Sequence, residues 1–182
     1  LPPPPPPTWE DPAPPDPGAV ERLAREGDAK ALRPRLPRPM LRKDQLPGDP
    51  DYYDFSFSGL KTAVAQAAQA HEGPKADVAA AFQAAAVDVL VAKTLRAVEA
   101  TGCRRVLLGG GVASNRGLRE AMARRLGAGG EVLFASPRLS ADNGAMVARA
   151  ALFRLERGEV AAPEFTAQAG LPFPGLLRGG EA

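Results

Sequence analysis

The stretch Arg105-Val106-Leu107-Leu108-Gly109-Gly110-Gly111-Val112-Ala113-Ser114-Asn115 constrains the fold of this chain more than any other. Residues that suit a strand run into three glycines, and a helical pattern opens at Asn115. Glycines carry no Cβ, so a ligand can approach the main chain closely. The helix N-terminus beyond them offers unpaired N–H groups and a partial positive charge, the natural seat of phosphate or another anion. The same triplet also serves as a tight strand-to-helix turn with no ligand.

A second unit of the same kind follows. Glu131-Val132-Leu133-Phe134-Ala135 feeds a helix expected from Asp142 to Leu155, which stops near Gly158. In the first unit the helix runs from Asn115 to Leu126, with Leu118, Met122 and Leu126 facing inward. Strand, helix, strand, helix at this spacing implies right-handed crossovers and adjacent parallel strands. Both loops then open beyond the carboxyl ends of the strands, where open α/β sheets bind ligands. In Ser140-Ala141-Asp142-Asn143-Gly144-Ala145-Met146, Asp142 is placed to cap the last helix. A metal role for it would need companion ligands.

Upstream, Asp77 to Ala100 reads as one long helix. Val78, Phe82, Ala85, Val89, Ala92 and Arg96 descend one stripe, and Ala86 and Leu90 widen it. Such an alanine-rich apolar surface suits a helix packed against a sheet. Asp54-Phe55-Ser56-Phe57-Ser58 alternates like a half-buried strand, and Ser58 is placed to cap a helix through Leu60 and Val64 to Ala70. His71-Glu72-Gly73-Pro74 is a break. Residues 18–27 read as a short helix with Val20, Leu23 and Ala24 on one face and Gly27 as its terminating glycine. Arg33, Arg35, Arg38, Arg42 and Lys43 follow with no acid among them, kept extended by Pro34, Pro37 and Pro39. That segment is either a solvated loop or a polyanion contact. Lys61 is either an exposed lysine or a group that meets an anion.

The ends differ in composition. Residues 1–17 are a proline-rich tract expected to be disordered or extended, as a tail or as a ligand for a recognition module. Residues 18–160 form the domain, and residues 161–182 are a Pro/Gly-rich tail. No internal repeat is visible. At 182 residues there is room for one ordinary domain. With 23 basic and 21 acidic residues the net charge of +2 argues neither for nor against nucleic acid. One cysteine, Cys103, precludes an internal disulfide and suggests a reducing compartment; a buried or inert thiol is expected there. No apolar run approaches ~18 residues, so no membrane span is expected and the cytoplasm is the simplest address. The single histidine, His71, has no ligand or nucleophile at suitable spacing, so a hydrolytic triad lacks support.

Taken together, four stretches resemble one family. They are Phe55-Ser56-Phe57-Ser58-Gly59-Leu60-Lys61-Thr62-Ala63, then Ala81-Phe82-Gln83 with Val87-Asp88-Val89-Leu90, then Gly109 to Asn115, then Asp142-Asn143-Gly144-Ala145-Met146. In order and at these separations they resemble the TsaD type of tRNA threonylcarbamoyladenosine transferase, formerly called O-sialoglycoprotein endopeptidases. The resemblance runs from about Ala19 to about Gly158.

The resemblance implies an α/β fold: the C-terminal half of an actin-like, Hsp70-like (ASKHA) nucleotide-binding fold, a mixed sheet with packed helices. It implies transfer of a threonylcarbamoyl group from threonylcarbamoyl-adenylate to the N6 amine of the adenosine beside the tRNA anticodon. Asn115 would bind substrate, Gly109, Gly110 and Gly111 would lie against the adenylate, and Asp142 would be a ligand of a metal, usually iron. Partners implied are tRNA, a paralogous actin-like subunit and a small P-loop ATPase. The family's His-x-x-x-His metal pair has no counterpart in this sequence. Where the family has glycine-glycine-proline, the chain reads Asp16-Pro17-Gly18, so that substrate role is not carried over. The other readings are a non-catalytic fragment that binds nucleotide or a partner, a metalloprotease as in the old family label, and a sugar-kinase-like member of the same fold.

Overall fold

A computed structural model of the chain describes residue 16 and residues 18–160. Apart from Asp16, the proline tract therefore lies outside the described residues, as does the whole tail from residue 161. The chain divides into two compact units, one through Asp142 and one from Asn143.

The first unit is built on α3 (Lys75–Thr101), a 27-residue helix. Its alanine-rich sequence favours helix along its length, and Gly102 ends it in the left-handed region with φ +69°, returning its N–H to the Val98 carbonyl. Val78, Ala85 and Val89 of the expected stripe are buried, and Phe82, Ala86, Leu90, Ala92 and Arg96 are half-buried. By length and composition alone α3 is apolar enough to cross a membrane, with a mean hydropathy of 1.6 over its best window, a test that the core helix of a folded domain also meets. In this fold it is the helix about which two larger cores form, with a third, smaller cluster joining its Ala79 and Ala80 to Ala24.

The first core joins Leu32, Leu36, Leu60, Val78, Ala81 and Ala85. Leu60 comes from α2 (Ser58–Ala70), and the two other leucines come from the basic segment. That segment is thus a packed loop: Leu32 and Leu36 are buried while Arg33, Arg35 and Arg42 are exposed. The second core joins Val91 of α3 to Val106 of β1 (Arg105–Leu108) and to Leu118, Ala121, Met122 and Leu126 of α4 (Arg116–Leu126). The inward face expected for α4 is the one observed, with Met122 only 1% exposed. β1 pairs in parallel with β2 (Glu131–Phe134), Arg105 opposite Glu131 and Leu108 opposite Phe134. Of the sheet implied by the resemblance, the described residues hold these two strands.

Several local expectations are corrected. Asp54 to Phe57 form no strand; Phe55 and Phe57 are exposed and the segment is a loop into α2. Ser58 does not cap α2 but is its first residue, and Phe57 holds the cap position without a side-chain bond. α1 (Ala19–Ala24) buries Ala24, whereas Val20 and Leu23 stay exposed. Gly27 does not terminate α1. A Cβ there would lie 2.0 Å from the Ala76 carbonyl oxygen, so the glycine is required by close backbone approach to α3. Cys103 is exposed, not buried. His71 is half-buried, its Nε2 3.5 Å from Asp77 Oδ2, and Asp77 Oδ1 accepts from the Asp28 N–H at 2.8 Å.

In the second unit, α6 (Gly144–Leu155) is capped by Asn143, whose Oδ1 accepts from the Met146 N–H at 2.9 Å. The capping expected of Asp142 falls to its neighbour, and α6 buries none of its residues.

Candidate functional site

β1 delivers the chain into the glycine turn, where Gly110 has φ +81° and ψ 172°, a conformation reserved for glycine. A 3-10 turn, Gly111–Ser114, follows, and Asn115 opens α4. Cβ atoms built on Gly109, Gly110 or Gly111 would meet nothing within 4 Å, so this backbone faces open space. Arg119 fixes the far side of the turn: it donates to the Ala113 carbonyl and its guanidinium lies 4.1 Å over the Phe134 ring at the end of β2. The short helix α5 (Pro137–Ser140) packs beside Gly111–Ser114. The two loops thus share the carboxyl edge of the sheet, as parallel pairing requires.

A cleft of about 700 Å³ opens at this edge. Gly111, Val112 and Asn115 form one wall, Phe82, Gln83 and Leu90 of α3 another, and Glu21 and Phe57 its rim. Gly109 and Gly110 precede that wall and do not line it. Ala141 lines the cleft, and the next residue, Asp142, is exposed. Of the expected site residues, the structure therefore brings Gly111 and Asn115 into one cleft and leaves Asp142 at its margin.

Asn115 already has work in the fold. Its Oδ1 accepts from the Leu118 N–H at 2.9 Å, capping α4, and its Nδ2 donates to Gln83 Oε1 at 3.0 Å. One amide proton is left over. The α4 terminus read from the sequence as an anion seat holds an anion of the chain's own. Glu21 Oε1 accepts from the Arg116 N–H at 3.0 Å and from Arg25 at 2.8 Å. Neither Glu21 nor Gln83 was found from sequence. Glu21 lies 95 residues from its partner, and no local pattern announces that contact.

A smaller pocket of about 450 Å³ adjoins the cleft, lined by Phe57, Ser58, Lys61, Val64 and Phe82. Phe57 and Phe82 line both spaces. The loop entering this region is pinned by α3. Lys93, 1% exposed, donates to the Asp51 carbonyl and, at 2.8 Å, to the Tyr52 carbonyl. Arg96 donates to the Tyr52 carbonyl at 3.0 Å and lies 4.3 Å over its ring. Burial, and then the neighbouring Arg96, push the Lys93 ammonium below its ordinary range.

The basic run is less bare in space than in sequence. Arg38 donates to Asp88 at 2.7 Å and Arg42 to Asp51 at 2.8 Å. Arg35 and Lys43 are exposed and make no ion pair among the described residues. The described residues include no group of three or more His, Cys, Asp or Glu able to hold a metal, so Asp142 does not by itself fit one.

Comparison with known proteins supplies the family. The family model described as TsaD, tRNA N6-adenosine threonylcarbamoyltransferase, matches residues 8–149. A protein of Gemmatimonas aurantiaca named tRNA N6-adenosine threonylcarbamoyltransferase is 47% identical over 167 residues, covering 87% of this chain and 47% of that protein. Proteins of the same name from Syntrophotalea carbinolica and Paracidovorax citrulli are 48% and 49% identical, over 70% and 79% of this chain and 36% and 40% of their own lengths. The chain thus spans about half or less of the curated relatives it matches. With the glycine turn, Asn115 and the adjoining loop gathered on one sheet edge, and with a family match over most of its length, this chain belongs to the TsaD family of tRNA N6-adenosine threonylcarbamoyltransferases, which are transferases that modify tRNA.

Proposed function

We propose that this chain supplies the C-terminal, nucleotide-holding half of an ASKHA-fold enzyme that moves a threonylcarbamoyl group from its adenylate to tRNA. The observation that carries the reading is the cleft of about 700 Å³ bounded by Gly111, Asn115 and Gln83. Its glycine wall has room for a phosphate against the main chain, with Gly109 and Gly110 leading into that wall. The free proton on Asn115 Nδ2 is a donor for the nucleotide, held in orientation by Gln83. In the reaction, the N6 amine of adenosine attacks the carbamoyl carbonyl carbon. A C–N bond forms, the C–O bond to the phosphate breaks, AMP leaves, and the amine proton passes to solvent. The chain's part is to hold the adenylate so that this carbonyl faces the acceptor.

The family is metal-dependent, and Asp142 is the carboxylate this chain would contribute, with iron as the metal the resemblance implies. The described residues lack the companion ligands, so no step is routed through a metal here. The same shortage leaves the protease label without support. tRNA is the partner the family name states. The paralogous actin-like subunit, the P-loop ATPase and a cytoplasmic location rest on the resemblance alone.

Gly111→Val tests the reading. The added side chain meets no protein atom within 4 Å at its Cβ, and no positive φ is strained, so the fold is retained while the cleft wall is filled. Calorimetry with a non-hydrolysable adenylate analogue should show affinity falling at least about tenfold, the loss expected when a close contact worth about 1.4 kcal/mol is blocked. Undiminished affinity would remove the adenylate from this cleft.

A further inference from the structure

The pocket beside the cleft is built from α2 and one residue of α3. Lys61 and Val64 lie on one face of α2, Phe57 precedes them at the cap position, and Phe82 closes the pocket from α3. Lys61 is the sole charged residue of α2, exposed and without an ion pair among the described residues. Phe57 is 37% exposed, a large ring left open to solvent. An aromatic face next to an unmatched cation fits a planar base carrying a phosphate, because the ring stacks on the base and the ammonium meets the phosphate.

We propose that this second pocket receives an unpaired nucleotide of the RNA acceptor, its base against Phe57 and its phosphate near Lys61. The proposal rests on the reading of the first cleft as the donor site. The two spaces share Phe57 and Phe82 as a common wall, so a donor in one and a base in the other would be neighbours. The division of labour follows from the linings. The larger cleft offers Asn115, Gln83, Glu21 and bare glycine backbone, which can read a small nucleotide. The smaller pocket offers aromatic area, a cation and one hydroxyl, which suit stacking and phosphate contact with little readout. Its position is fixed in advance. Lys93 and Arg96 hold the loop at Tyr52, and α2 begins at Ser58, so the segment carrying Phe57 is anchored at both ends. This contact is separate from residues 33–43, where Arg38 and Arg42 have carboxylate partners while Arg35 and Lys43 stay exposed.

The test is anisotropy titration of this chain with a fluorescein-labelled single-stranded RNA heptamer containing a central adenosine, at several salt concentrations. Phe57→Ala should weaken binding about tenfold or more, and Phe57→Trp should restore it. Lys61→Gln should leave AMP affinity for the cleft unchanged but flatten the slope of log K against log salt by about 0.7. No binding of the RNA by the parent chain overturns the proposal. So does binding that neither substitution alters, or that AMP displaces equally from the parent and from Lys61→Gln. A concentration-dependent self-association abolished by Phe57→Ala would reassign the surface to a second copy of the chain. Loss of adenylate binding in Gly111→Val alongside any of these would leave the donor-site reading standing and only this one overturned.

Discussion

Two helix N-termini border the paired cavities, and the chain treats them in opposite ways. At α4 the Asn115 amide caps the Leu118 N–H, and the Glu21 carboxylate takes the Arg116 N–H. At α2 the cap residue is Phe57, no side chain closes the first turn, and no acid lies within it. The sequence suggests the reverse: an open anion seat at α4 and a serine cap at α2. A local pattern reveals that a helix begins, but its electrostatic needs are met by whatever the fold brings there. At α4 that is a carboxylate from α1.

The comparison can be broken at its joint. Gly27 lets α1 approach α3, and α1 carries Glu21. Gly27→Ala puts a Cβ against the Ala76 carbonyl, a backbone atom that cannot step aside. We expect a loss of about 3 kcal/mol in urea unfolding as α1 is pushed from α3. A neutral outcome would mean that α1 does not depend on that approach.

Asn115→Ala removes both the cap and the bond to Gln83, for about 2 kcal/mol. Asn115→Asp keeps the cap oxygen and loses the donor to Gln83, so its stability should lie between the two while adenylate binding falls as in the alanine variant. If the aspartate variant bound adenylate normally, the free amide proton would have no part in binding.

Glu21→Gln keeps an acceptor and deletes the charge. The expected cost is about 1 kcal/mol at low ionic strength, shrinking as salt is raised. A cost independent of salt would assign Glu21 to packing and not to the helix terminus. The smallest effect is expected at the other helix. Ser58→Asp adds an acid to the uncapped first turn of α2 and should stabilise by about 0.5 kcal/mol while weakening RNA binding beside Lys61. Destabilisation there would show that the α2 terminus is already satisfied.

These contrasts mark where reading from sequence succeeds. β1, α4, β2 and the parallel pairing of the two strands were legible, because apolar periodicity and a glycine break are local signals reinforced by the crossover rule. Phe55 and Phe57 misled because alternation alone cannot distinguish a strand from a loop with two exposed rings. Gly27 looked like a terminating glycine, yet its reason lies in a backbone 49 positions away. The run from Arg33 to Lys43 looked bare of acids because Asp88 and Asp51 reach it only in space. Of the residues lining the candidate cleft, Gly111 stands in the glycine turn read from sequence, and Asn115 was singled out through the family resemblance. Glu21 and Gln83 were not singled out, since each acquires its place from a distant element; Lys61 was noted as a group that could meet an anion, but the pocket that Phe82 closes around it was not foreseen.

The long helix α3 has a consequence for how the first unit comes apart. Its residues Val78, Ala81 and Ala85 belong to one core and Val91 to the other, so a single continuous rod, roughly 40 Å long at 1.5 Å per residue, threads both. Fraying one core strips partners from a helix that the other still requires. The unit should therefore open all at once, and amide protons near Val89, fully buried on α3 between Ala85 of one core and Val91 of the other, should be the last to exchange with solvent.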